Sequence, residues 1–318
     1  LSADITRRSL TAAMALGPFL SIARAQGQRP VKVGTNNIYG VAATFPANGD
    51  DKPADGAIEI IRFNSVPAML QALDAGELDV AEVGEVGPVV AQAAGIPIKI
   101  VAATQPWPEG EAIIVYKTSS IRSVKELVGK KVSYPRATNA QWLLTKALRA
   151  EGLKITDVVS VTLPAGTNIL AVLETGGVDA SVFIDASLSQ YEAEGARRIL
   201  NAGEAGCDNS LFYIATEKAV AQQRAGVGLF VRQLHRHLAW ARNNQETRAR
   251  AVAELLRIPY DVALASERKR PAGLRPIDRA LIVNGQDIAD TFLAQAVIPQ
   301  PIKVDSTFTE EFNAFIGA

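Results

Sequence analysis

A chain of 318 residues, 48% hydrophobic and 21% charged, has the make-up of an ordinary globular protein and is long enough for one large or two medium α/β domains. Lys plus Arg equal Asp plus Glu at 33 each, so the basic excess of a nucleic-acid binder is missing and no nucleic-acid partner is expected. One cysteine, Cys207, excludes an intrachain disulfide and a multi-cysteine metal centre. A small, partly buried side chain is expected there, with no metal and no cofactor.

Residues 1–25 read as a signal peptide. Arg7 and Arg8 precede an apolar stretch from Leu10 to Ala23, and Ala23-Arg24-Ala25 supplies the small residues a signal peptidase reads. The stretch is too short to span a bilayer. Thr6-Arg7-Arg8-Ser9-Leu10 resembles a twin-arginine export signal; an ordinary Sec signal carrying two arginines is the alternative. No Cys follows the cleavage site, so the mature chain is expected free in the periplasm from near Gln26.

β-rich runs then alternate with helical patterns, which predicts an α/β fold with largely parallel sheets. Strands are expected at 31–34, 57–63, 78–83 and 98–103. Ser65, Pro67 and Gly76 frame a helix between the second and third, and a short helix covers 88–94. Residues 35–56, rich in Asn, Asp, Gly and Pro, admit either a short helix or a loop. Further strands are expected at 112–116, 131–134, 158–163, 178–184 and 211–215, and helices at 138–151, 168–175 and 185–194. Ser123 and Glu126 form a Ser-x-x-Glu capping box for another short helix. Beyond 215 the chain reads as helix, broken around 258–278. The run Arg268, Lys269, Arg270 reads as a solvated loop.

Several segments, in order, resemble the binding-protein family for nitrate, taurine and aliphatic sulfonates. These are Leu73 to Ala81, Val83-Gly84-Glu85-Val86-Gly87-Pro88, Ile121 to Val132, and Gly176-Gly177-Val178-Asp179-Ala180 with Phe183-Ile184-Asp185. The likeness covers about residues 57–216 and lies in order and spacing, not in any one piece. It implies a type II periplasmic-binding-protein fold: two α/β lobes joined by two crossover strands, with a ligand cleft between. Residues 30–112 and 214–318 would form lobe one and 113–213 lobe two, with the strands near 112–116 and 211–215 as crossings. It also implies a monomer that captures a small-molecule ligand, an organic anion such as a sulfonate or taurine, and delivers it to an ABC permease. An aromatic carboxylate or nitrogen heterocycle is the alternative. Asp79 and Asp179, each opening a strand after a Gly turn, read as structural.

Ligands of open α/β sheets sit beyond the carboxyl ends of strands, where helix N-termini offer N–H groups to anions. Three places qualify. In Pro135 to Ala140, Thr138 can cap a helix and donate its hydroxyl, Asn139 and Ala140 can present N–H groups, and Arg136 can form a bidentate pair. The family commonly has Gly where this chain has Ala137, which narrows backbone freedom. In the second place, Val86 and Gly87 can present N–H groups, while Glu85 can accept from an amine or pair with Arg136 across the lobes. The third is Asn37 and Tyr39 after the first strand. Phe183 and Asp185 are further wall candidates, Asp185 doubling as a helix cap, and Trp107 reads equally as wall or core. An enzyme on the same fold finds little support: Cys207 stands alone, and His235 and His237, two apart on a helix, face different ways.

Overall fold

The computed structural model describes residues 29–37, 41–51, 57–164 and 166–316. The expected signal peptide lies outside them. The strands are β1 (Val31–Asn36), β2 (Ile58–Phe63), β3 (Val80–Gly84), β4 (Ile98–Thr104), β5 (Glu111–Tyr116), β6 (Lys131–Ser133), β7 (Val159–Val161), β8 (Ala180–Ile184), β9 (Ala196–Asn201), β10 (Leu211–Thr216) and β11 (Leu274–Arg275). The helices are α1 (Val41–Asn48), α2 (Val66–Asp74), α3 (Gly87–Ala93), α4 (Asn139–Ala150), α5 (Ile169–Glu174), α6 (Asp185–Ala193), α7 (Glu217–Gln222), α8 (Arg224–Asn243), α9 (Gln245–Leu256), α10 (Tyr260–Lys269) and α11 (Arg279–Ala294).

Two sheets form, ordered β11-β4-β10-β3-β1-β2 and β7-β6-β8-β5-β9. Each has parallel strands with one antiparallel strand inserted in its interior, and β11 adds a second antiparallel strand at the edge of the first sheet, against β4. β10 runs against β3 and β4, and β5 runs against β8 and β9. β5 and β10 are therefore the first strands reached after each passage between sheets. The passages themselves fall at 105–110 and 202–210, so boundaries drawn at 112 and 213 cut through strands. The two passages hold each other: Trp107 N donates to Asp208 O at 2.9 Å, and Asn209 Nδ2 donates to Trp107 O at 3.0 Å.

The same local device starts both sheets. The Asp79 carboxylate accepts Lys32 N at 2.9 Å, and the Asp179 carboxylate accepts Lys131 N at 2.8 Å. Each Asp N–H donates back to the same residue's carbonyl, at 2.9 and 2.8 Å. Each aspartate thus pins a strand entry onto its parallel neighbour and satisfies backbone groups that the ladder leaves open.

Residues 41–48, left open between helix and loop, are helical. Pro46 lies inside this helix, and Phe45 is fully buried against His237, ring centroids 4.5 Å apart. Tertiary burial outweighs a poor local pattern here. Val124–Leu127 is a 3₁₀ turn with Ser123 at its N-cap position, without the full capping box. The Glu126 carboxylate accepts Arg122 N at 3.1 Å instead of Ser123 N, and Ser123 Oγ donates to its other oxygen at 3.1 Å. β9 was not expected, because each of its residues is half-buried and no alternation marks it.

α11 crosses between the lobes. Its Ile288, Ala289 and Phe292 join a core with Trp142, Leu144 and Leu148, and Phe292 meets Trp142 edge-on at 6.5 Å. Arg149 of α4 holds Asp287 of α11 through two hydrogen bonds of 2.8 and 2.7 Å.

Candidate ligand cleft

A cleft of about 800 Å³ lies between the sheets and is lined from both. Lobe two contributes Ser133 to Ala140, Leu163, Ser181 and Phe183. The other lobe contributes Val41, Thr44, Leu70, Gly84, Val86, Gly87, Tyr213, Arg248 and Arg270, and the passages contribute Gln105, Trp107 and Asn209. This is where the carboxyl ends of β3 and β6 and the N-terminus of α4 meet.

β6 ends at Ser133, and Ala137 takes a left-handed conformation, φ 58°, to turn the chain into α4. Gln141 Oε1 accepts Ala137 N at 2.8 Å and holds that turn. Trp142 N makes the first bond of the helix, to Thr138 O at 3.1 Å. The N–H groups of Asn139 and Ala140 precede that bond and lie at the positive end of a twelve-residue helix. The hydroxyl proton of Thr138 goes to Pro135 O at 2.7 Å, and its side chain does not cap the helix. Thr138 therefore lines the cleft without the donor role expected for it.

Asn139 Oδ1 accepts Val86 N, across the lobes, at 3.2 Å. The Val86 N–H is thereby committed to Asn139. A Cβ on Gly84 would meet the Asn139 side chain at 2.5–2.9 Å, and a Cβ on Gly87 would meet Val83 at 2.4 Å. Both glycines are needed for close approach, the first of lobe to lobe, the second of α3 to β3.

Glu85 does not line the cleft. Its carboxylate accepts Asn209 N at 3.2 Å and Asn284 Nδ2 at 3.0 Å, tying a passage segment to α11. Burial, aided by the Asp208 charge, raises it to about 7. The expected Glu85–Arg136 cross-link is absent: Arg136 is exposed at the rim, and its guanidinium donates to Ala296 O at 2.8 Å. Glu82, on β3, accepts Val41 N at 3.1 Å and the Tyr213 hydroxyl at 2.8 Å, and burial raises it to about 7. Asn37 does not line the cleft either; its side chain donates to Asn64 Oδ1 at 2.6 Å and ties the ends of β1 and β2. Tyr39 lies outside the described residues. Phe183 lines the cleft and meets Tyr191 edge-on at 4.7 Å. Asp185 is the first residue of α6, with Ile184 at the cap position.

The residues missed from sequence are Arg248 and Arg270. Arg270, read as part of a solvated loop, has a side chain only 14% exposed and stacks over Trp107, 4.0 Å from the ring centroid. Arg248 of α9 is 5% exposed and pairs with Glu267 at 2.8 Å, and Arg270 Nε lies 3.4 Å from the same carboxylate. Burial lowers the Arg248 guanidinium from its ordinary value, against the opposing pull of Glu267. Trp107 is a wall of the cleft and is also buried.

Two α/β lobes enclosing one cleft between the ends of their sheets define a periplasmic-binding-protein fold. A family profile described as NMT1/THI5 like matches residues 57–248, more than half of the chain, and the chain belongs to that family. It is 28% identical over 252 residues to an Escherichia coli (strain K12) protein described as aliphatic sulfonates-binding, covering 79% of this chain and 78% of that one. It is 24% identical over 146 residues to the taurine-binding periplasmic protein of the same organism, 45% of this chain and 44% of that one. In three dimensions it is similar to the periplasmic aliphatic sulphonate binding protein SsuA from E. coli. That match has a TM-score of 0.81 at 24% identity and covers 88% and 97% of the two chains. The desulfurization enzyme DSZB shares the fold, with a TM-score of 0.66 at 15% identity over 91% and 99% of the two chains.

Proposed function

We propose that this chain is the extracytoplasmic solute-binding component of an ABC importer, exported by a cleaved signal peptide and working as a periplasmic monomer. It captures a small organic anion such as a sulfonate by lobe closure and passes it to a membrane permease. The observation that carries this reading is the cleft, lined from both lobes, with the α4 N-terminus on one side and two arginines on the other. A ligand touching both walls favours the closed form by its differential contacts, and the closed form is what a permease would recognise. Asn139 and Ala140 offer N–H groups to the anion, Arg136 guards the rim, and Val86, Gly87, Thr138 and Phe183 shape the wall. Descriptions of the relatives as sulfonate- and taurine-binding proteins agree with such a ligand.

Catalysis is not part of this reading. Cys207 is 2% exposed, and burial, reinforced by Glu85 and Glu111, pushes its thiol far up, the opposite of what a nucleophile needs. His237 is held between Thr44 Oγ1 and Asp50 Oδ2, each at 2.8 Å, and burial lowers it to about 4.

Thermal unfolding of the mature protein against taurine, alkane- and arenesulfonates, nitrate, aromatic carboxylates and pyrimidines tests the reading. A ligand at 100 times its Kd adds about 2.7 kcal/mol to folded-state stability, and it should be recovered chemically unchanged. A flat response to the whole panel, or turnover of the ligand, would sink the proposal.

A further inference from the structure

The cleft is larger and more apolar than a taurine-sized ligand needs. Its volume, about 800 Å³, lies in the upper part of the range that encloses drug-sized molecules. Val41, Leu70, Val86, Leu163, Phe183 and Leu238 line it. A two-carbon ligand would leave most of this wall facing water, whereas an apolar body filling it gains with every part of the wall removed from water.

The polar groups of the cleft fall into two sets on different parts of the chain. One is the start of α4, with the N–H groups of Asn139 and Ala140. The other is Trp107, Arg248 and Arg270, contributed by a passage segment, α9 and the end of α10. In this second set two buried donors lack an acceptor among the described residues: the Trp107 indole Nε1 and the Arg248 Nε. Their residues are 7% and 5% exposed. A buried donor without a partner is destabilising, and both residues border the space a ligand would enter. The Glu267 carboxylate offsets one of the two guanidinium charges, and the set keeps a net positive charge and an excess of donors, so it suits an acceptor or anion better than an ammonium group.

We propose that the ligand is a two-headed organic anion with an aromatic or similarly bulky apolar middle. One acidic group sits at the N-terminus of α4 and the other at Trp107 and Arg248. This rests on the solute-binding reading and narrows its ligand class. The zwitterion taurine, short and carrying an ammonium group, fits the second set poorly.

Isothermal titration of the mature protein with 3- and 4-sulfobenzoate, benzenesulfonate, propanesulfonate and taurine tests the idea. At least one sulfobenzoate should bind ten times or more tighter than benzenesulfonate, and benzenesulfonate tighter than propanesulfonate and taurine. Trp107→Phe, which removes the indole donor and keeps a smaller aromatic ring beneath Arg270, and Arg248→Lys, which keeps a positive charge beside Glu267 but loses the fork, should each pull the sulfobenzoate-to-benzenesulfonate ratio toward one. Circular dichroism melts verify that each variant folds, and the conservative Trp107→Phe decides the matter should Arg248→Lys not fold. Taurine or propanesulfonate binding as tightly as the sulfobenzoates would overturn the two-headed class and leave the solute-binding reading standing. Sulfobenzoate ratios unmoved in a folded Trp107→Phe and Arg248→Lys pair would overturn the second set. Binding of none of the five anions would overturn the proposal, whereas the solute-binding reading fails only if nitrate, carboxylates and pyrimidines are silent as well.

Discussion

Asn139 at the start of α4 accepts the backbone N–H of Val86 in the opposite lobe at 3.2 Å, and its side chain fills the space that a Cβ on Gly84 would occupy. One residue thus serves the helix that faces the cleft and the contact that joins the lobes beside it. Gly84→Ala places a methyl group 2.5–2.9 Å from the Asn139 amide, so something must shift. Overpacking of this kind costs about 1–3 kcal/mol. That cost falls on the closed form, where the lobes touch, so ligand affinity should drop by about 5- to 150-fold, by the tenfold-per-1.4 kcal/mol rule. The melting temperature without ligand should fall far less. Titration of both proteins with the tightest-binding sulfonate checks this, and equal Kd values would show that this contact plays no part in closure.

Ala137 carries the strain of the turn before α4. A non-glycine residue at φ 58° pays a left-handed penalty of roughly 1–2 kcal/mol. Glycine removes the penalty but loses more chain entropy on folding, about 0.5–1 kcal/mol. Ala137→Gly should therefore stabilise the protein by a few tenths to about 1 kcal/mol. Urea unfolding measures it, and a destabilised variant would mean that the Ala137 methyl packs more usefully than its backbone suggests.

The sheet framework was legible because its signals are local. Short apolar runs placed all nine strands β1 to β8 and β10, with α2 and α4 among their helical neighbours, and Asp79 and Asp179 announced their turns. α1 was ambiguous because its apolar face is completed by His237 of α8, far along the chain. The site was harder. The α4 N-terminus followed from a strand-turn-helix pattern, but the partners of Glu85, Thr138 and Val86 depend on how the lobes meet. Arg248 and Arg270 were hidden for the same reason. In sequence Arg248 is one charge in a polar helical stretch and Arg270 one of a basic run read as a solvated loop, and only the packing of α9 and α10 turns them toward the cleft.

Cys207 should be inert in the native protein. It is 2% exposed, and the thiolate that would react is disfavoured first by burial and then by the Glu85 and Glu111 charges. Reaction with a disulfide reagent at pH 8 should be at least a hundredfold slower in buffer than in 6 M urea, because it waits for an opening of the structure. Rapid labelling in buffer would show a reactive thiol and reopen an enzymatic role.

Glu82 should make stability depend on pH in an unusual direction. Its carboxyl is fully buried and, through desolvation, is raised from 4.5 to about 7. The folded state therefore binds its proton more tightly than the unfolded state does. The contribution is fully present below pH 4.5 and is lost as pH rises through 7, after which the chain must bury a carboxylate. Glu82→Gln keeps an oxygen to accept from Val41 N and the Tyr213 hydroxyl, which both use Oε2, and puts an amide where Oε1 lacks a partner. The variant should gain on the wild type as pH rises from 5 to 8, by on the order of 2–3 kcal/mol. His237, lowered by burial to about 4, works oppositely: its contribution is lost as pH falls from 6.5 through 4. It is present in both proteins and cancels in the comparison. Urea titrations at pH 5, 6, 7 and 8 give the difference directly, and a difference that stays constant with pH would mean that Glu82 is ionised throughout.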